Sequence, residues 1–168
     1  MASAVLAEDS SSASVSGTAN DTLSQARNAA LRLVSRAEQC TFLLTQKLLK
    51  KGFAPETVKT VVFELTEANI VNDGRFSQMW LRSRIISRAD TPYRIIAALR
   101  AKGIDRNTAV AAVKSCLDHE TESALLARFI KKRSDYLPTE AADCQATLRG
   151  EGFSQEAVYD YFESVNFE

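Results

Sequence analysis

The sequence predicts an all-α fold made of three tandem three-helix repeats that form an elongated, curved module. From Thr22 onward, apolar residues recur at helical spacing, and strand-like alternation is absent. Three glycines, Gly52, Gly103 and Gly152, stand 51 and 49 positions apart, and each closes a similar segment. Because stacked repeats contact mainly their neighbours, such an array favours an elongated body over a single compact one.

The segments around the three glycines match residue by residue. A leucine stands four positions before each glycine, and a large apolar residue follows it directly. These pairs are Leu48 and Phe53, Leu99 and Ile104, and Leu148 and Phe153. The pattern is typical of a Schellman helix end, in which glycine is left-handed and the next residue packs back on the helix. Apolar residues six, nine, ten and thirteen positions beyond each glycine then trace one face of the following helix.

These signals divide the chain into a tail and three repeats. Residues 1–21 are mostly serine and alanine with few large apolar side chains, so we expect a disordered tail. The three repeats then span residues 22–71, 72–118 and 119–168. Their helices are expected near residues 22–37, 41–51 and 55–68, near 73–90, 92–102 and 106–118, and near 120–134, 139–150 and 155–165.

Residues that favour helix starts support these boundaries. All three prolines lie at expected helix starts, where a missing N–H matters little: Pro55, Pro92 and Pro138. Thr91, Asp105 and Ser154 stand where N-caps belong, because their side-chain oxygens can accept from unpaired backbone N–H groups. Asp73 is expected to cap the helix that it begins.

The residues needed for metal or catalytic chemistry are scarce. His119 is the only histidine, and it stands between two acidic residues, where we expect a solvated or capping role. Cys40, Cys116 and Cys144 are dispersed among apolar residues and are expected to pack in the core. No phosphate-binding G-x-x-x-x-G-K-[ST] loop and no acid–base pair stands out. We therefore predict a protein that is not an enzyme and needs no metal or cofactor.

The sequence also bears on location and oligomeric state. It contains no stretch of roughly 18 apolar residues, and its N-terminus lacks the basic region and apolar run of a secretory signal. We therefore expect a soluble, cytoplasmic protein that does not contact membranes. A monomer is the expected state for an array of three short repeats.

Positive charge is concentrated in the second repeat. The chain as a whole has formal net charge zero, but the segment from Arg75 to Arg106 holds eight basic and two acidic residues. Seven of the eight are arginine, which suits bidentate contacts to carboxylates and phosphates. These candidate partner-binding residues are Arg75, Arg82, Arg84, Arg88, Arg94, Arg100, Lys102 and Arg106.

A strong local excess of positive charge steers anionic partners. The alternative is that the arginines form a solvated face and internal ion pairs. On a helix, Arg84 and Arg88 would lie one turn apart, and Arg75 and Arg82 two turns apart. Phe76 and Trp80, at four-residue spacing, are expected to pack in the core.

The middle repeat, NDGRFSQMWLRSRIISRADTPYRIIAALRAKGI at residues 72–104, resembles the signature of the RecX family of recombinase regulators. The signature has an aspartate, an Arg-Phe pair, an aromatic residue, further arginines, and a helix that ends Leu-x-x-x-Gly-Ile. Residues 43–65 and 146–162 are similar to the flanking repeats of that family, so the resemblance covers about residues 25–165. It implies tandem three-helix repeats that bind in the groove of RecA nucleoprotein filaments and inhibit ATP hydrolysis, strand exchange and co-protease activity.

Three functional hypotheses follow from the residues and the resemblance together. The first is a non-enzymatic modulator, and more specifically an inhibitor, of RecA-type filaments that acts in DNA repair, homologous recombination and the SOS response. Its arginines would meet acidic recombinase side chains or DNA phosphates within the filament. The second is an autonomous DNA-binding protein, against which the overall neutrality weighs. The third is a helical-repeat scaffold for an unrelated protein partner.

Overall fold

The computed structural model describes residues 12–88 and 90–165, and this part of the chain is helical with no β-strand. The all-α prediction is therefore confirmed. The helices are α1 (Ser12–Val34), α2 (Thr41–Lys50), α3 (Pro55–Glu67), α4 (Asp73–Ser87), α5 (Pro92–Arg100), α6 (Arg106–Cys116), α7 (His119–Arg133), α8 (Ala141–Gly150) and α9 (Gln155–Val165), with a 3-10 turn at Ser134–Tyr136.

The chain divides into two compact units, Met1–Val71 and Asn72–Glu168. The first unit contains α1, α2 and α3, and the second contains α4 through α9. The boundary coincides with the predicted start of the second repeat. The second and third predicted repeats lie together in the second unit, and the division into three repeats stays a prediction. None of the helices in the described ranges is long and apolar enough to cross a membrane.

Helix α1 begins ten residues earlier than the sequence predicted. Residues 12–21 belong to this helix, so the helix start predicted at Thr22 is wrong. The physical reason is that helix nucleation is the unfavourable step. Once the packed residues after Thr22 have formed the helix, the preceding residues can join it without a second nucleation step. The rest of the predicted tail, residues 1–11, lies outside the described residues.

The core of the first unit is formed by the predicted apolar faces. Ala26 and Ala30 of α1 are fully buried, and their small side chains let α1 approach the other two helices. Burying each leucine in such a core contributes roughly 1.5–3 kcal/mol. The larger core residues are Leu44, Leu48, Val58, Val61, Val62, Leu65 and Val71. Cys40 and, in the second unit, Cys144 are also buried, which confirms core packing for two of the three cysteines.

All three predicted Schellman ends are present. Gly52, Gly103 and Gly152 have φ angles of 89°, 81° and 96°. In each case the N–H of the next residue donates to the carbonyl of the leucine five positions earlier, at 3.2–3.4 Å. Helix α3 ends in the same way on a residue that the sequence analysis did not identify, since Asn69 has a φ of 54° and Ile70 N–H donates to Leu65.

The N-caps at Thr91, Asp105 and Ser154 are confirmed, since each side-chain oxygen accepts a backbone N–H from the helix that follows it. The capping role expected for Asp73 is wrong. Asn72 caps α4 by accepting the N–H of Arg75 at 2.9 Å, and Asp73 is the first helical residue. The backbone conformation decides which residue caps the helix, because an N-cap residue is extended and Asn72, not Asp73, has that conformation.

Residues of the third repeat hold both ends of the segment that joins α4 to α5. The Glu151 carbonyl accepts Tyr93 N–H at 3.0 Å, and the Glu151 carboxylate accepts the Thr91 hydroxyl at 2.7 Å. Arg128 of α7 donates to the carbonyl of Ile85 near the end of α4, at 3.0 Å. These bonds satisfy helix-terminal groups that α4 and α5 leave unpaired. They also fix the helices that carry the arginines of the second repeat.

The glycine turns give a prediction with an internal control. Gly52→Ala places a side chain at positive φ with no atom within 4 Å, so we expect it to lower the free energy of unfolding by about 1–2 kcal/mol. Gly152→Ala adds steric conflict, because a Cβ there would lie 3.1 Å from Tyr93 N and 3.2 Å from Pro92 Cβ. We expect it to cost roughly 1–2 kcal/mol more than Gly52→Ala.

Urea unfolding followed by circular dichroism measures both effects. Gly150→Ala is the control, since Gly150 ends α8 with no atom within 4 Å of its added Cβ and with no positive φ. It is expected to be neutral or stabilising by up to about 1 kcal/mol. Equal losses for Gly52→Ala and Gly152→Ala would contradict the close contact at Gly152.

The caps predict a pH dependence of stability. Hydrogen bonds from Thr121 lower the pKa of Asp118 below its ordinary 3.8, with a smaller lowering from the charge of His119. A lowered carboxyl pKa stabilises the fold above 3.8, and this stabilisation is lost as the pH falls through the lower folded value. Asp118→Ala should therefore lower the urea midpoint at pH 7, and the difference from the wild type should narrow below pH 3.8. Asn72→Ala removes a cap that does not titrate, so its effect should not change over this range.

Candidate partner-binding surface

Helix α4 presents one basic side that includes a methionine. Residues 75, 79 and 82 fall within about 60° of one another around the helix axis at 3.6 residues per turn. Arg82 is exposed and Arg75 is half-buried. Met79 is 54% exposed, although its apolar side chain would favour burial. The expected proximity of Arg75 and Arg82 on one helix side is therefore confirmed, with an apolar residue between them.

Trp80 has two cations beside its ring. The Arg84 guanidinium carbon lies 5.1 Å from the ring centroid, and Lys102 Nζ lies 5.6 Å from it. Both distances are within the range of cation–π attraction. The core position expected for Trp80 is therefore only partly right, because its ring is half-buried between charged groups, whereas Phe76 is buried as predicted.

Arg84 also forms an internal ion pair. Its Nε donates to Asp90 Oδ2 at 2.7 Å, and the two side chains are only 28% and 22% exposed. For this arginine the structure supports the alternative that the sequence left open, an intramolecular role. Its guanidinium group links α4 to the α4–α5 segment and is less available to a partner than the exposed arginines.

Arg88 does not lie on the α4 helix. The helix ends at Ser87, and Arg88 has the extended backbone of a C-cap, so the expected one-turn spacing of Arg84 and Arg88 is wrong. The physical reason is the start of α5: Thr91 caps that helix and precedes Pro92, so it is extended, and the chain leaves α4 at Ser87 to reach it. Arg88 is exposed, as is Arg94 in the first turn of α5.

Arg100 and Arg106 line a common groove formed by α5 and α6. Tyr93 forms part of the same groove and is 66% exposed. The two guanidinium groups and the phenol provide donors for an anionic group beside an apolar surface from Ile96 and Val110. Tyr93 is not among the residues that the sequence predicts for partner binding. The only sequence signal was its place after Pro92 on a short helix, which does not reveal exposure.

Three pairs of the predicted residues are therefore brought together, and two residues stand apart. The pairs are Arg75 with Arg82 on α4, Arg84 with Lys102 at Trp80, and Arg100 with Arg106 in the groove. Arg88 and Arg94 are exposed at the two sides of the α4–α5 segment. In the described ranges, no group of three or more histidine, cysteine, aspartate or glutamate residues could hold a metal ion.

The fold and this surface define a helical-repeat protein whose middle repeat is cationic. Two family models match the chain. Residues 26–65 match the first three-helix domain of RecX, and residues 72–113 match the second three-helix domain of RecX. These two matches correspond to α1–α3 and α4–α6.

The sequence is also similar to curated proteins named regulatory protein RecX. That of Amycolatopsis mediterranei is 34% identical over 63% of this chain and 59% of its own length. That of Treponema pallidum is 31% identical over 64% of this chain and 66% of its own length. That of Legionella pneumophila is 28% identical over 85% of this chain and 96% of its own length. The match therefore spans less than two thirds of the length of the first two relatives.

Solved structures show the same fold. The crystal structure of RecX from Lactobacillus salivarius superposes with a TM-score of 0.67 at 20% identity, over 89% of this chain and 99% of that one. A crystal structure of a regulatory protein RecX gives a TM-score of 0.72 at 21% identity, over 94% and 79% of the two chains. The chain belongs to the RecX family.

The internal role of Arg84 can be measured by a double-mutant cycle. We expect Arg84→Ala and Asp90→Ala to show a coupling energy of about 1 kcal/mol in urea unfolding, because the pair is mostly shielded from solvent. The Arg27–Glu64 pair of the first unit is the control, since its side chains are 45% and 37% exposed. Its coupling should be smaller, about 0.5 kcal/mol or less. A coupling energy near zero for Arg84 and Asp90 would contradict the internal role of Arg84 and make it a candidate for partner binding.

Proposed function

We propose that this protein regulates RecA-type recombinase filaments without being an enzyme. It binds the nucleoprotein filament through the cationic surface of the second repeat and inhibits ATP hydrolysis, strand exchange and co-protease activity. It acts as a monomer in the bacterial cytoplasm, in recombinational repair and the SOS response. The similarity to proteins named regulatory protein RecX supports a regulatory role.

The observation that carries the proposal is the clustering of exposed arginines on one three-helix repeat. Arg82, Arg88, Arg94, Arg100 and Arg106 are all exposed and come from α4, α5, α6 and the segment between α4 and α5. A recombinase filament on DNA is a repeating array of protein and phosphate charges. Exposed guanidinium groups can meet both carboxylates and phosphates in such an array, since both accept bidentate hydrogen bonds.

The positions of the cationic residues support a binding mode with two separate contacts. Arg100 and Arg106 form a groove that can hold one anionic side chain or phosphate beside Tyr93. Arg82 adds a second contact on α4. Contacts at two places on neighbouring recombinase subunits would oppose the subunit movement that accompanies ATP turnover. Inhibition then requires no chemistry from this chain.

The test is ATP hydrolysis by RecA filaments preassembled on single-stranded DNA and titrated with this protein. The test variant carries Arg82→Glu, Arg100→Glu and Arg106→Glu, one change in each helix of the repeat. The control variant carries Lys131→Glu, Lys132→Glu and Arg149→Glu, which are also exposed and change the net charge equally. We expect the test variant to need about tenfold more protein for half-inhibition and the control to stay within about threefold.

Circular dichroism and urea unfolding establish that both variants fold. DNA binding by this protein alone is measured in the same buffer, across a range of salt concentrations. Unchanged hydrolysis with the wild-type protein would contradict the proposal. Tight, steeply salt-dependent binding to bare DNA would then favour an autonomous DNA-binding protein. Weak binding to bare DNA would favour a scaffold for another protein.

A further inference from the structure

We propose that the first repeat carries a second docking site, in which the groove between α2 and α3 binds an acidic amphipathic helix of a protein partner. The site does not depend on the function proposed for the second repeat, because it lies in the other compact unit and uses different chemistry.

The groove is open and apolar. Phe63 of α3 is 63% exposed, and Leu49 of α2 forms another part of the lining. Val58 and Val62 contribute from the buried face of α3. The groove has a volume of about 320 Å³, at the lower end of the roughly 300–1,000 Å³ of ligand-binding clefts. This is room for a few apolar side chains of a partner rather than for a large cofactor.

Lysines border the groove. Lys59 lines it directly, and Lys47 and Lys50 line an adjoining depression that also contains Leu49. The residues that line the groove and this depression include these three lysines and no acidic residue, whereas α3 also carries three glutamates. Of the acidic residues on α3, Glu64 is paired with Arg27, which lies on α1. The local field therefore favours a partner that brings carboxylates beside its apolar anchors.

The second repeat has a groove at the equivalent position, between its second and third helices. Aligned on Gly52 and Gly103, the groove residues Thr45, Leu49, Pro55 and Lys59 correspond to Ile96, Arg100, Arg106 and Val110, and these four line the groove of the second repeat. A groove between the second and third helices is therefore a property of the repeat, and its chemistry is set by substitution. In the second repeat it holds two arginines, whereas in the first it is apolar with lysine beside it.

An acidic helix fits the first groove better than nucleic acid does. Phosphates would use the lysines but would leave Phe63 and Leu49 without a partner. A helix laid in a groove inserts apolar side chains at i, i+3, i+4 and i+7 and places its charged residues on the flanks. Helix α9 of a second copy has related chemistry, because Tyr159, Asp160 and Glu163 are exposed on it. Self-association is therefore the competing outcome of the test.

The experiment is selection from a display library of helical peptides on the intact protein, followed by counter-selection on Phe63→Ser. We expect peptides that require Phe63 to be enriched in aspartate and glutamate beside apolar residues at helical spacing. Fluorescence anisotropy of a selected peptide then gives its affinity. Phe63→Ser and Lys59→Glu should each weaken it about tenfold or more. Tyr136→Ser and Lys132→Glu, which change exposed residues of the second unit, should change it less than about twofold.

Several outcomes would overturn the inference. They are the absence of Phe63-dependent peptides, Phe63-dependent peptides without acidic enrichment, and unchanged affinity in Lys59→Glu. Sedimentation that shows self-association lost in Phe63→Ser, with competition by a peptide of residues 155–165, would assign the groove to a second copy instead. None of these results depends on recombinase ATPase, so failure here and failure of the proposed function are distinguishable.

Discussion

The left-handed glycine at the end of the second helix of each repeat is the constraint on which the rest of the structure depends. It turns the chain so that the following residue bonds back to the helix and the third helix packs on the second. Gly152 has a further role, because its turn contacts Pro92 and places Glu151 against the start of α5. The same local turn therefore both closes a repeat and joins two repeats of the second unit.

Contacts from the third repeat also leave most arginines of the second repeat without a structural role at the helix ends. The backbone ends of α4 and α5 are satisfied by Arg128 and Glu151 from the third repeat, so the arginines of the second repeat are not needed for that purpose. Arg84 is the exception, since it pairs with Asp90 and lies beside Trp80. The remaining exposed arginines are carried by helices whose ends are already hydrogen-bonded, so a partner does not have to order that backbone.

Much of the fold could be predicted from local rules, and the errors have identifiable causes. The Schellman ends were correctly predicted because left-handed glycine has few alternatives, and most helix boundaries follow from them. The assignment of Asp73 failed because two adjacent residues can both cap, and backbone geometry selected Asn72. The helix start predicted at Thr22 failed because composition does not report how far an adjoining packed helix extends.

The sequence by itself determined the helical class, the repeat spacing, the turns and the cationic segment, because each depends on residues close together in the chain. Only the tertiary structure decided which side chains remain available, because exposure depends on contacts between distant residues. Thr91 meets Glu151 across 60 positions, and Arg128 meets Ile85 across 43. The exposure of Met79, Tyr93 and Phe63 follows from such packing and leaves no local pattern. Arg84 and Asp90 are only six positions apart, but their pairing depends on where α4 ends.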